Sequence, residues 1–135
     1  MLIFLIDTEN VGWAGVNGIE KLGSEDLVYV LYNKNFKIQN VKGEIVINIV
    51  ESNAKCILEK VNIPGKNSLD FQLSCIVGRN IERYSNAKII IVSNDNGYKA
   101  VIDYLNKNNR KGVMTTSINN YLNSLQDKNK VKKAK

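Results

Sequence analysis

The chain has 135 residues, a formal net charge of +6 and no histidine. This length suits one domain, and 44% hydrophobic with 24% charged residues is ordinary globular composition rather than disorder. The lack of histidine excludes Ser-His-Asp triads, Cys-His pairs and imidazole metal ligands. Two cysteines are too few for a cysteine-rich zinc site, so any metal site would use oxygen ligands.

Five short apolar segments predict β-strands. Their continuous β-branched runs are typical of strands that are buried on both faces, as in a parallel sheet. The segments are Leu2–Ile6, Leu27–Tyr32, Lys55–Val61, Lys88–Val92 and Gly112–Thr116.

The segments between these strands mostly show helical spacing. The Ile and Val residues within 41–53 favour a strand by their β-propensity, whereas the four-residue spacing between them also suits a helix. We favour a helix because it lets the second and third strands run parallel. Residues 11–22 carry three glycines, which predict a short or broken helix. Apolar residues recur at three- to four-residue steps in 73–84, 98–105 and 118–125, the last with Ser117 as its expected cap.

The alternation of strands and helices predicts the fold class. We expect an α/β three-layer sandwich with a mostly parallel, five-stranded central sheet. No internal repeat and no linker interrupts residues 1–126, which are predicted to form one domain.

The positive charge is concentrated in the last residues. Residues 128–135 hold five lysines and no acid, so the rest of the chain is close to neutral. We therefore predict a basic, disordered tail over residues 127–135. Such a tail suits binding to a polyanion, and a solvated, frayed terminus accounts for it equally well.

The hydrophobic segments and cysteines indicate the expected compartment. No apolar run approaches the ~20 residues of a membrane helix, and Met1–Ile6 runs into Asp7 without a basic leader, so no signal peptide is expected. Cys56 and Cys75 are expected to be reduced and buried, as in a cytoplasmic protein. The oligomeric state is left open, a homodimer included.

Three aspartates are predicted to meet at one edge of the sheet. Asp7 directly follows the first strand, Asp95 follows the fourth, and Asp70 begins the helix after the third. The carboxyl ends of parallel strands share an edge, and ligand sites collect where the strand order reverses. If strands one and four are neighbours, Asp7 and Asp95 flank one crevice. Asp70, three residues before the apolar Leu73, is then expected to look toward it.

Each aspartate also has a purely structural interpretation. Asp70 can complement the dipole of a helix capped by Asn67, Asp95 can cap the next helix, and Asp7 can be a turn residue. Together, however, crowded carboxylates repel one another, and a bound divalent cation removes that repulsion. Oxygen coordination is typical of Mg²⁺ or Mn²⁺, which activate water and stabilise a phosphoryl group under attack.

Three motifs resemble those of the PIN-like nuclease superfamily, in its NYN-related branch. The resemblance extends to about Leu125, with the motifs in the family's order and on matching elements. It implies a metal-dependent endonuclease, most often acting on RNA, with Mg²⁺ or Mn²⁺ as cofactor. The motifs are Asp7-Thr8-Glu9-Asn10-Val11, Asn67-Ser68-Leu69-Asp70-Phe71 and Ser93-Asn94-Asp95-Asn96-Gly97-Tyr98.

The resemblance also implies roles for individual residues. Asp7, Asp70 and Asp95 match the catalytic, metal-binding aspartates, while Asn10 and Ser93 match an amide and a hydroxyl that support them. Asn67, at the start of the helix that contains Asp70, is expected to be a supporting residue. Lys66, which precedes it, can contact a phosphate of the substrate, although the simpler interpretation of Lys66 is a solvated loop lysine. Tyr98 can stack a base, with core packing the simpler interpretation.

One departure from the family pattern concerns a fourth acid. Related domains carry an acid at or just after the position of Gly97, where this chain continues with Tyr98 and Lys99. Asp103 is expected on the surface, and the roles of Glu9 and Glu51 stay open.

The sequence therefore predicts a metal-dependent endoribonuclease that hydrolyses phosphodiester bonds of RNA, and it leaves open whether single-stranded DNA is also a substrate. The alternative is a catalytically weak or inactive module that binds RNA or other nucleic acid. A phospho-acceptor domain would need an aspartate after the third strand, and residues 62–68 contain no acid at that strand's end. A P-loop is also absent from the sequence.

Overall fold

The central sheet has five strands, all parallel in the part of the chain that the structure describes. The structure is a computed structural model and describes residues 1–34 and 40–134. The strands lie in the order β3-β2-β1-β4-β5, so the prediction of a mostly parallel sheet is confirmed. They are β1 (Leu2–Asp7), β2 (Leu27–Asn33), β3 (Lys55–Val61), β4 (Lys88–Val92) and β5 (Lys111–Thr115).

Within the described residues, five α-helices connect or follow these strands. The helix favoured for residues 41–53 is confirmed, and Ser117 caps the last helix by accepting a hydrogen bond from the Asn120 amide at 3.0 Å. No helix in the described residues is long and apolar enough to span a bilayer. The helices are α1 (Thr8–Val11), α2 (Gly43–Glu51), α3 (Ser68–Arg83), α4 (Lys99–Lys107) and α5 (Ile118–Ala134).

The predicted break in residues 11–22 is also confirmed. Helix α1 ends at Gly12, whose φ of 61° favours glycine, and 3₁₀ turns follow at Gly12–Val16 and Ile19–Lys21. Gly18 has a φ of +104°, and a Cβ there would lie 2.8 Å from the backbone nitrogen of Asn119. This glycine therefore lets the loop approach the start of α5.

The sheet is buried between two helical layers. Ile3 and Leu5 of β1 belong to the core beneath α3 and α4, whereas Phe4 and Ile6 face the 3₁₀ turns and α5. The strict alternation follows from the strand geometry, in which successive side chains point to opposite faces. The three-layer sandwich predicted from the sequence is thus confirmed.

Two expectations differ from the structure. Cys75 is exposed and Cys56 is half-buried, so neither is a fully buried thiol; Cys75 lies on the outward side of α3, whose buried side holds Leu73, Ile76 and Val77. Helix α5 runs on to Ala134, where a disordered tail was expected, because residues 127–134 contain no glycine or proline that would end it. Lys135 lies outside the described residues.

The strand order places one crevice at the centre of the sheet. The chain leaves β3 at one edge, crosses through α3, and continues in β4 on the other side of β1. Strand β1 therefore pairs with β2 on one side and β4 on the other. Its carboxyl end, at Asp7, lies where the strand order reverses, which is where α/β folds bind their ligands.

Candidate active site

Asp7 is a buried carboxylate with one oxygen held and one oxygen unpaired. Its side chain has no exposed surface. Its Oδ2 accepts hydrogen bonds from Asn10 Nδ2 at 2.6 Å and from Ser93 Oγ at 2.9 Å. Its Oδ1 is buried without a hydrogen-bond partner among the described residues. An unpaired buried acceptor is costly, and a ligand at this oxygen would remove that cost.

Asp95 is held next to Asp7 through Ser93. The Ser93 hydroxyl donates to Asp7 and accepts from the Asp95 backbone nitrogen at 3.0 Å. Asp95 Oδ1 in turn accepts from the Gly97 amide at 2.9 Å, which makes Asp95 the cap of the turn Asn96–Tyr98. The capping interpretation of Asp95 is therefore confirmed, and Oδ1 is the oxygen that makes the capping bond.

Asp70 joins the group through a contact with Tyr98. The tyrosine is 2% exposed, so its ring packs in the core, and its hydroxyl donates to Asp70 Oδ1 at 2.9 Å. Asp70 itself is half-buried in the first turn of α3. Asn67 occupies the cap position of α3, but its side chain makes no capping hydrogen bond.

The carboxylates of this cluster act on one another electrostatically. Burial raises the pKa of Asp70, the hydrogen bond from Tyr98 lowers it, and the charges of Asp7, Asp95 and Glu9 raise it further. Burial, followed by the charge of Asp7, also raises the pKa of the Tyr98 hydroxyl, so the tyrosine stays a proton donor. The charges of Asp7, Asp95 and Glu9 therefore act on Asp70, and that the three aspartates form one site stays a prediction.

The carboxylate oxygens of Asp7, Asp70 and Asp95 are of the type that binds divalent cations, but the three side chains are not closely grouped. No three acidic or cysteine side chains of the described residues stand close enough to enclose a metal ion as they are placed. Asp7 Oδ1 is nevertheless unpaired, and Asp70 and Asp95 each use only Oδ1 in a hydrogen bond with the described residues. Three carboxylate oxygens thus remain available, and oxygen donors with water or phosphate are what Mg²⁺ and Mn²⁺ prefer.

A family model of the PIN domain matches residues 1–116. The chain belongs to the PIN-domain family. Comparisons with curated proteins and with solved structures found no match. PIN domains are in general nucleases and typically use divalent metals, so a nuclease-type function follows for this PIN domain at that coarse level.

The other residues named from the sequence lie at the margin of the site. Lys66 and Asn67 are exposed in the turn before α3. Glu9, whose role the sequence left open, is exposed, and its Oε1 accepts a hydrogen bond from Asn33 Nδ2 at 2.8 Å. Its charge contributes to the raised pKa of Asp70.

None of the open positions supplies a fourth acid. Asp103 is exposed and pairs with Lys107 at 3.0 Å, as expected for a surface residue. Glu51 ends α2, at the edge of the sheet where β3 begins, which is opposite to the edge that carries Asp7.

Sequence reasoning missed the contact between Tyr98 and Asp70. The two residues are 28 positions apart, and a tyrosine after a Gly gives no local sign that its hydroxyl will reach a carboxylate. The only available signal was an aromatic side chain on the apolar stripe of a helix that begins at the site edge. That pattern favours core packing, which is correct for the ring but incomplete for the hydroxyl.

Proposed function

We propose that this PIN domain is a metal-dependent endoribonuclease that uses Mg²⁺ or Mn²⁺. The observation that carries the proposal is the buried Asp7, whose Oδ2 is held by two donors while Oδ1 has no partner among the residues that the structure describes. A purely structural carboxylate would have both oxygens paired. Asp70 and Asp95 would hold the cation together with Asp7.

The residues of the chain prepare this site in distinct ways. The bound cation would supply activation of water and neutralisation of charge on the phosphodiester. Asn10 and Ser93 hold Asp7 in one orientation, and Ser93 ties that orientation to the backbone of Asp95. Tyr98 holds Asp70 and, because its own pKa is raised, keeps its proton while doing so. Such supporting hydrogen bonds are what keep metal ligands oriented.

RNA is the proposed substrate, with single-stranded DNA as the second class. A cluster of carboxylates repels a polyanion, so attraction must come from elsewhere on the chain. Lys66 lies exposed beside the start of α3, and the lysines of residues 128–135 add a charge that would make binding depend on salt. A cytoplasmic location and a homodimer remain predictions.

The test is cleavage of a mixed-sequence, single-stranded RNA in Mn²⁺, in Mg²⁺ and in EDTA. We expect cleavage in either metal and none in EDTA. Asp7→Asn and Asp95→Asn should each lower the rate at least about a hundredfold, since metal catalysis contributes several kcal/mol. Asp103→Asn is the matched control, because it removes an exposed acid of the same domain, and it should stay within about twofold of the wild type.

Cleavage that persists in EDTA or in Asp7→Asn would contradict the proposal. An equal loss in Asp103→Asn would show that the assay reports net charge rather than the site.

One observation favours the alternative of a weak or inactive RNA-binding module. The acids are not grouped closely enough to enclose a cation as they stand, and Lys99 occupies the region where related domains add an acid. If wild-type protein leaves RNA intact in both metals but binds it in a salt-dependent way, the binding module is the correct function.

A further inference from the structure

A groove beside the candidate active site is lined by amide side chains. We call it the asparagine groove. Its volume is about 430 Å³, which lies within the ~300–1,000 Å³ of small-molecule sites. Its asparagines come from parts of the chain that are far apart in sequence: Asn10, Asn17, Asn94, Asn119 and Asn120.

The asparagine groove begins at the aspartates. Asn10 lines the groove and also donates to Asp7 Oδ2 at 2.6 Å. Asn94 lines it as well and lies between Ser93 and Asp95, the two residues that connect β4 to the site. A ligand in the groove therefore lies next to whatever binds the carboxylates.

The lining of the groove is uncharged. Among the described residues that line it, none is Lys, Arg, Asp or Glu; hydroxyls of Thr116 and Ser117 accompany the amides. Phosphate contacts depend on cationic side chains, so this lining is a poor match for the nucleic-acid backbone. Amides present a donor and an acceptor side by side, which is the pattern that matches the edge of a nucleobase.

Several of these amides are already oriented. Asn119 Oδ1 accepts from Lys21 Nζ at 2.6 Å, and its backbone nitrogen donates to the Asn17 carbonyl at 2.7 Å. Asn120 Nδ2 donates to Thr116 Oγ1 at 2.6 Å. The opposite atoms, Asn119 Nδ2 and Asn120 Oδ1, make no hydrogen bond with the described residues and offer one donor and one acceptor on adjacent residues.

We propose that the asparagine groove binds one nucleobase of single-stranded RNA, next to the bond that is cleaved, and selects it by the hydrogen-bonding pattern of its edge. The position relative to the cleaved bond rests on the proposed nuclease function. The strand must be single because base edges are splayed out for protein contact in loops and single strands but not in an A-form duplex. This domain then has a base preference at one position of its substrate.

The first test is binding in EDTA, which does not depend on catalysis. Four labelled homopolymeric octaribonucleotides, of A, C, G and U, are titrated with the protein and followed by fluorescence anisotropy. Wild-type protein should prefer one of them about tenfold or more, as one well-matched amide contact allows. The variant Asn17→Ala/Asn120→Ala should reduce this preference below about threefold. Both residues are exposed, so the variant is expected to fold.

The control is Asn86→Ala. Asn86 is an exposed asparagine that lines a different cavity, next to the start of β4 and thus at the other end of the sheet. It should keep the wild-type preference. Equal affinity of the wild type for the four oligonucleotides, the absence of saturable binding, or an unchanged preference in the double variant would overturn the proposal.

Mapping of cleavage sites in Mn²⁺ separates this proposal from the proposed function. Preferential binding without cleavage would support the asparagine groove and contradict the nuclease. Cleavage with no base preference at any position would support the nuclease and contradict the asparagine groove.

Discussion

Two buried aspartates stand at opposite ends of the sheet and differ in how their oxygens are used. Asp26 precedes β2 and is 7% exposed; its Oδ1 accepts from the Leu2 amide at 2.9 Å and its Oδ2 from the Gly23 amide at 3.0 Å. Asp7 ends β1 with no exposed surface, and its two side-chain hydrogen bonds with the described residues are both made by Oδ2. Both oxygens of Asp26 are paired with backbone amides, whereas Oδ1 of Asp7 has no partner within residues 1–34 and 40–134.

The difference concerns how each buried charge is compensated by hydrogen bonds. Burying a charge is unfavourable unless hydrogen bonds or an opposite charge compensate. Asp26 is compensated by two backbone amides, one from the start of β1 and one from the preceding turn. Among the described residues Asp7 is compensated at Oδ2 only, so a cation at Oδ1 would complete it. Burial is thus common to both aspartates, and the unpaired oxygen is the feature on which the proposed site depends.

The largest expected effect comes from exchanging each of these carboxylates for its amide. Asp26→Asn places an NH₂ group against a backbone N–H and should lower the free energy of unfolding by about 1–3 kcal/mol, without changing cleavage by the folded fraction. Asp7→Asn keeps one oxygen for Asn10 and Ser93, so it should cost less stability than Asp26→Asn while removing cleavage. Urea denaturation and initial rates measure the two effects. Loss of cleavage by the folded Asp26→Asn variant would contradict the purely structural role given to Asp26.

The next effect concerns the Ser93 hydroxyl, which donates a hydrogen bond to Oδ2 of Asp7. Ser93→Ala removes the bond to Asp7 Oδ2 and the acceptor for the Asp95 amide. We expect cleavage to fall about ten- to a hundredfold, as for other residues that orient metal ligands. Initial rates against Mn²⁺ concentration measure it, with Ser124→Ala, whose Oγ bonds within α5, as the matched control. An unchanged apparent metal affinity and rate would remove Ser93 from the site.

A smaller effect is expected from Tyr98→Phe, which keeps the ring and removes the bond to Asp70. Because that bond lowers the pKa of Asp70, its loss should raise this pKa. The acidic limb of the pH–rate profile should then move to higher pH, with less than about a tenfold loss of rate at neutral pH. Tyr121→Phe, another buried tyrosine, which packs edge-on against Phe4, should leave the profile in place. A uniform loss of rate at every pH would indicate a packing defect instead.

The smallest effect is on the pH dependence of stability without metal. The raised pKa of Asp70 means that the folded protein holds this proton more tightly than the unfolded chain. Asp70 therefore favours folding fully below the ordinary aspartate pKa, and this contribution is lost as pH rises through the raised value. Asp70→Asn should flatten that fall and stabilise the metal-free protein at neutral pH by at most about 1 kcal/mol, because solvent screens a half-buried charge. Thermal denaturation in EDTA from acid to neutral pH measures it, and a steeper fall in the variant would contradict the assignment.

The parts of the site that lie at strand ends could be predicted from the sequence. Asp7 and Asp95 come directly after apolar strands, and parallel strands bring such residues to one edge whatever the details of packing. Asn10 is three residues from Asp7, and Ser93 directly follows β4, so both positions are set by local structure. Their hydrogen bonds to Asp7 agree with the supporting positions expected for them; their roles in catalysis remain predictions.

Contacts between distant elements could not be predicted in the same way. The bond from Tyr98 to Asp70 depends on how far α3 leans over the sheet and on the 3₁₀ turn that precedes α4. The asparagine groove needs the 3₁₀ turns after α1, the loop after β4 and the start of α5 to meet, which a positive φ at Gly18 permits. Single asparagines in loops have no periodicity that would reveal such a meeting.

The sequence by itself determined the order of strands and helices, the parallel sheet, the edge that carries the acids and the exclusion of imidazole chemistry. These follow from side-chain periodicity and residue types, which act over a few neighbouring positions. Only the tertiary structure decided that Oδ1 of Asp7 finds no partner in the described part of the chain while both oxygens of Asp26 are paired. That distinction depends on which donors from distant segments reach each oxygen, and packing of the whole chain sets those distances.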